Sequence, residues 1–151
     1  MIKLSKLTDY ATVILSVLAK DYGRTVTAME MAALTGIALP TVSKILKVLV
    51  NAKVLVSTRG AKGGYALARD PHYISVAAII SVLEGPIALT ECSISKQACG
   101  QASGCGIRAN WHLINQTVHN ALESVTLADL VRPLAVPEEV YIPVASLYQS
   151  L

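Results

Sequence analysis

The stretch TAMEMAALTGIALPTVSKILKVLV, residues 27–50, decides the fold. Thr27 is a good helix cap, and Glu30 follows at the capping-box spacing. Met31, Ala32 and Leu34 supply the buried side of a short helix. Gly36 is its natural stop, because glycine enters the left-handed conformation without a Cβ clash. Leu39-Pro40-Thr41 opens the next helix; proline is tolerated there because a first-turn N–H has no intrahelical partner. Val42, Ile45, Leu46 and Leu49 recur at the spacing of one helical face and predict a buried stripe. Pro40, Thr41, Ser43, Lys44 and Lys47 point the other way. Two short helices across a tight glycine turn, the second apolar behind and polar or cationic in front, read as a helix-turn-helix.

The flanks complete this unit. Leu7, Ala11, Ile14, Leu15 and Leu18 predict a preceding helix from residue 8 or 9 to about residue 20, with Asp9 at its positive end. Downstream, Val54-Leu55-Val56-Ser57 and Tyr65-Ala66-Leu67-Ala68 predict two strands around a turn that carries Arg59, Lys62 and three glycines. Ser75 caps a helix over 76–83, which Gly85-Pro86 breaks. A Gly- and Cys-bearing loop is expected over about 88–106. A long helix is expected from about 107 to 122, with Ile107, Trp111, Ile114, Val118 and Leu122 on one face, and a short one over 126–131. The class is mainly α with a small β-hairpin wing. The expected organisation is a winged helix-turn-helix domain (1–84), a cysteine loop (85–106), a dimerisation helix with a short following helix (107–132), and a tail (133–151).

Charge points to the partner. Residues 1–69 carry ten Lys and Arg against three acids, a net of +7, whereas residues 70–151 carry a net of −4. A basic amino half suits a polyanion. Mean hydropathy is +0.52, yet the apolar run at residues 10–19 is far short of the roughly 20 residues that a membrane span needs. Nor does the start resemble a signal peptide. A cytoplasmic protein is expected, without a membrane partner, its surplus apolar residues serving a subunit interface. The glycine turn lacks the Gly-Lys-Ser/Thr ending of a nucleotide loop. No cysteine has a His and an acid in a catalytic arrangement, so no enzyme is expected.

Double-stranded DNA fits the layout. The major groove admits one helix that exposes small polar and cationic groups while its back is anchored. Thr41 and Ser43 suit base edges or phosphates, Lys44 and Lys47 suit guanine acceptors or phosphates, and Pro40 shapes the same surface. Thr27 near a helix start suits a phosphate. Arg59 and Lys62 sit on a hairpin tip narrow enough for the minor groove.

Cys92, Cys99 and Cys105 are separated by six and five residues. Thiolates are soft ligands suited to iron–sulfur clusters and zinc. Structural zinc sites usually bring ligand pairs roughly two to four residues apart, so the wider spacing in a Gly-rich loop fits a cluster better. A zinc or thiol-based site is the alternative, and spacing alone also leaves room for three inert thiols.

Leu4-Ser5-Lys6-Leu7-Thr8-Asp9-Tyr10-Ala11, the Gly36-Ile37 turn, Arg59-Gly60 with Gly63-Gly64-Tyr65, the three cysteines, and Val125-Thr126-Leu127-Ala128-Asp129-Leu130 together resemble the Rrf2 family of bacterial regulators, over residues 1 to about 133. The first segment and Arg108-Ala109-Asn110-Trp111 are similar to the branch that regulates the SUF iron–sulfur assembly operon. The resemblance implies a homodimeric DNA-binding regulator, a repressor of assembly genes. Its long helices would cross through Ile107, Trp111, Ile114 and Val118. The two reading helices would then enter successive major grooves of a palindromic promoter operator, about 34 Å apart. It also implies an iron–sulfur cluster of two-iron or four-iron type on Cys92, Cys99 and Cys105, lost in some aerobic preparations, that senses iron–sulfur status, oxidants or nitric oxide. IscR-like members place a His where this chain has Arg108, which is no ligand while charged. NsrR-like members take a carboxylate from the partner subunit at the position of Asp9, which makes Asp9 the leading fourth ligand. His112, His119 or no fourth protein ligand remain the alternatives.

Overall fold

The computed structural model describes residues 3–95, 97–100 and 104–133, so nearly all of the expected tail lies outside the described residues. The first three helices are α1 (Lys6–Lys20), α2 (Ala28–Thr35) and α3 (Leu39–Asn51). The predicted apolar residues Ile14, Leu15, Met31, Val42, Ile45, Leu46 and Leu49 are wholly buried. Helix α1 starts two to three residues before the apolar pattern suggests, because Ser5 caps it and accepts a hydrogen bond from the Thr8 N–H at 3.2 Å. Gly36 ends α2 at φ 70° and donates its N–H to the Ala32 carbonyl. The chain turns by 118° between α2 and α3, within the roughly 90–120° of a helix-turn-helix.

Two local expectations need correction. Thr27 caps α2 by accepting from the Glu30 N–H at 3.2 Å, but the Glu30 carboxylate pairs with Arg24 instead of completing the box. The full reciprocal box forms at Thr126 and Asp129. Leu34 is 55% exposed, since the eight-residue helix packs through the narrow face of Ala28, Met31 and Ala32, leaving Leu34 outside it.

The wing pairs β1 (Leu55–Thr58) with β2 (Gly64–Leu67) in antiparallel register, Leu55 opposite Leu67 and Thr58 opposite Gly64. Val26 adds a third edge, exchanging backbone bonds of 2.9 and 2.8 Å with Tyr65. Gly64 allows that approach: its φ is +150°, and a Cβ there would lie 2.7 Å from the Val26 carbonyl oxygen.

Helix α4 (Val76–Glu84) begins at Ser75 as expected. The cysteine loop is not wholly irregular, because one turn of helix, α5 (Glu91–Ile94), carries Cys92. Four residues are too few to show a period. Helix α6 (Arg108–Ser124) follows, then α7 (Leu127–Val131). The link between them pairs with the start of α4, Val76 N–H to Val125 O and Leu127 N–H to Ile74 O, both 2.8 Å. That pairing delivers Leu127 into the core against α1. No single described helix is long and apolar enough to cross a membrane.

Glu84, at the end of α4, holds the start of α1. Its Oε1 accepts from the Ser5 N–H at 2.7 Å and from the Thr8 hydroxyl at 2.5 Å. The Thr8 hydroxyl first, then the Ser5 N–H, hold the Glu84 carboxyl below the ordinary glutamate value. A folded value below the unfolded one contributes stability that is present above about pH 4.3 and is lost as pH falls through the folded value. Glu84→Gln should therefore unfold at lower temperature than the wild type at neutral pH, with the gap closing in acid. Thermal midpoints across an acid series check this, and a gap that persists unchanged in acid would remove the role from Glu84.

Candidate nucleic-acid interface and cysteine cleft

Helix α3 presents the sequence-predicted surface intact. Pro40, Ser43, Lys44 and Lys47 are exposed and Thr41 is half-buried, directly over the fully buried Val42, Ile45, Leu46 and Leu49. Such a helix is fixed from behind and free in front. Among the described residues, neither lysine pairs with a carboxylate, and neither do Arg59 and Lys62 on the exposed wing tip. These four cations thus keep their charge available to a polyanion. Thr27 is exposed at the start of α2. Its oxygen already accepts from Glu30, which leaves its hydroxyl proton for an acceptor in solution.

The cysteines are half-buried free thiols. Cys92 on α5 and Cys105 line one cleft of about 520 Å³ together with Ser93, Arg108 and His112. Cys99 does not line it, and residues 101–103 lie outside the described residues. Among the described residues no three His, Cys, Asp or Glu side chains gather around a point that could hold a metal ion. Two thiols and an imidazole facing one space nonetheless have the softness that iron–sulfur clusters and zinc both accept. Asp9 is exposed on α1 and lines a different cleft, with Lys3, Lys6 and Thr12, so one subunit does not bring it to the thiols. His119 is half-buried, and its Nδ1 finds no hydrogen-bond partner among the described residues.

Helix α6 packs on α4 and α5 yet buries none of its residues fully. Ile107 is 58% exposed, Trp111 36% and Ile114 45%. Val118 faces inward and lines a groove with Leu122, Ile80 and Ile87. The periodic reading missed two exposed apolar neighbours, Leu113 and Val125. It also missed Asn115, whose side chain bonds the backbone of Ile87 and Leu89. A polar residue amid an apolar helical pattern was the available signal for Asn115.

The family model described as Rrf2, iron-dependent transcriptional regulator, matches residues 4–133. Protein rrf2 of Nitratidesulfovibrio vulgaris is 30% identical, over 86% of this chain and 87% of its own length. The HTH-type transcriptional regulator CymR of Bacillus subtilis is 32% identical, over 92% of this chain and 96% of its own. Two solved structures share the architecture. CymR, described as the global cysteine regulator of B. subtilis, superposes with a TM-score of 0.69 at 32% identity, covering 87% of this chain and 97% of that one. IscR of T. potens superposes with a TM-score of 0.66 at 30% identity, covering 86% of each.

Proposed function

The chain belongs to the Rrf2 family of transcriptional regulators, and on that premise we propose that it is a homodimer that reads a palindromic promoter operator and answers to the state of its cysteine loop. One observation carries the DNA reading: α3 is fully buried along Val42, Ile45, Leu46 and Leu49 while Pro40, Ser43, Lys44 and Lys47 stand clear. Thr41, Ser43 and Lys44 meet base edges. Lys47 and Thr27 meet phosphates, and Arg59 and Lys62 follow the adjacent minor groove. Each subunit supplies one such head, and the exposed α6 stripe sets their separation.

Cys92 and Cys105 are the inner thiols of the regulatory site, with Cys99 entering from the loop. A cluster held there supplies redox chemistry and sensitivity to oxidants or nitric oxide. His112, already in the cleft, competes with Asp9 of the partner subunit to complete the ligand set. Regulation of iron–sulfur assembly genes is the matching output. A second reading has its own support. No three donors converge among the described residues, and the chain is similar to a protein described as a global cysteine regulator. On that reading the thiols act without a cluster.

Protein purified without oxygen separates the two. The cluster reading expects a brown protein with matched iron and sulfide, and Cys92→Ser or Cys105→Ser should each abolish the colour. A protein that stays colourless and iron-free after incubation with ferrous iron and sulfide, yet changes its DNA affinity on treatment with diamide, establishes the thiol reading.

A further inference from the structure

Between α4 and α5 the chain crosses α6 on one side chain. Asn115 Oδ1 accepts from the Leu89 N–H at 2.9 Å, and Asn115 Nδ2 donates to the Ile87 carbonyl at 3.1 Å. One planar amide thus satisfies a donor and an acceptor two residues apart, as a neighbouring strand would. We propose that Asn115 is a positioning residue that ties the cysteine segment to α6 and, through Glu84, to the start of α1.

The links on both sides are short. Beyond Leu89, Thr90 Oγ1 lies 3.2 Å from Cys92 Sγ and 2.9 Å from Ser93 Oγ. Thr90 therefore joins the clamped backbone directly to a thiol. Before Ile87, the Gly85 N–H closes α4 on the Ser81 carbonyl at 3.1 Å, and Glu84 accepts from Ser5 and Thr8 of α1. Helix α1 packs against α2 and α3. A thiol, the α6 helix and the helix under the reading head are thereby attached to one nine-residue run, residues 84–92. A change at Cys92 reaches Leu89 through Thr90. The Leu89 bond then either moves with α6 or breaks, and α6 spaces the two heads. This relay rests on the proposed reading that the cysteine loop governs DNA binding.

Asn115→Leu keeps the branched shape of the side chain, at a somewhat larger volume, and removes both bonds. Asn115→Asp keeps the acceptor for Leu89 but sets a carboxylate against the Ile87 carbonyl, so its effect should be intermediate and should survive if the leucine variant folds poorly. Two measurements are needed on the full chain. Hydrogen exchange at the Leu89 amide should speed up by roughly tenfold in Asn115→Leu, the loss of one hydrogen bond; an unchanged rate overturns the clamp. DNA affinity is then measured on a duplex that the wild type selects from a random library. It is compared for reduced protein, for protein incubated with ferrous iron and sulfide, and for protein treated with diamide. The wild type should switch, while Asn115→Leu should bind as well as the wild type when reduced and lose most of the difference between states. A wild type that switches beside a leucine variant that switches equally overturns the relay alone. A wild type with equal affinity in all three states overturns the sensing reading, and the relay with it.

Discussion

Replacing Lys44 and Lys47 together by alanine is expected to weaken operator binding by about 100-fold or more, at roughly 1–2 kcal/mol per cationic contact, and to leave thermal unfolding almost unchanged. Both side chains are exposed on α3, and neither pairs with a carboxylate among the described residues. Nothing in the fold depends on them, and surface changes of this kind usually stay within about 0.5 kcal/mol. The single variants divide the loss by its source. A lysine on a phosphate lowers affinity for every sequence and reduces the salt slope by about one. A lysine on a guanine edge instead relaxes the preference at one base pair. Fluorescence anisotropy on the selected duplex and on a scrambled one, each over a salt series, reads both quantities. Affinity within threefold of the wild type for the double variant, with the protein folded, would remove α3 as the reading head.

The helix-turn-helix was legible because its information is local and redundant. Val42, Ile45, Leu46 and Leu49 repeat at helical spacing, Gly36 marks the left-handed stop, and Pro40 suits only a first turn; every one of these signals points to the same two helices. Features that depend on partners outside the element were not legible. Glu30 has capping-box spacing, but Arg24, six residues earlier and outside α2, takes its carboxylate. Leu34 reads as core in an apolar run and is left outside because α2 is short and touches its neighbours on one narrow face. Asn115 stands out as a polar residue amid apolar positions, but no local pattern names the backbone partners of its amide, 26 and 28 positions earlier.

The cysteine site divides along the same line. The residue types and their crowding into residues 92–105 raise soft-ligand or thiol chemistry as an expectation, and the structure sets Cys92 and Cys105 in one cleft with His112 and Arg108. Arg108 follows Cys105 by three residues and begins α6, so its cationic side chain enters the cleft from the first turn of the same helix that carries His112. On the proposed cluster reading, a negatively charged assembly of thiolates and sulfide would find a counter-charge in Arg108.

On the proposed homodimer, Ile114→Glu should give a folded monomer and reduce operator affinity by a thousandfold or more. A helix of 17 residues with several apolar positions and no fully buried side chain is unusual unless another surface covers it. Ile107, Trp111 and Ile114 form one stripe along α6, flanked by Leu113 and Val125. Asn115, Val118 and Leu122, at the edge of the same face, meet the rest of the subunit. A glutamate at residue 114 faces water in a monomer at little cost, whereas in a twofold interface it meets its own copy or the partner's Trp111, buried and unpaired. Separated heads lose the advantage of binding as one unit, in which the second half-site is met at an effective concentration of about millimolar. Sedimentation equilibrium measures the mass, circular dichroism the fold, and anisotropy the affinity. A dimer of wild-type stability in Ile114→Glu would move the interface off this stripe. A monomer that still bound the full palindrome as tightly as the wild type would show instead that one reading head is sufficient.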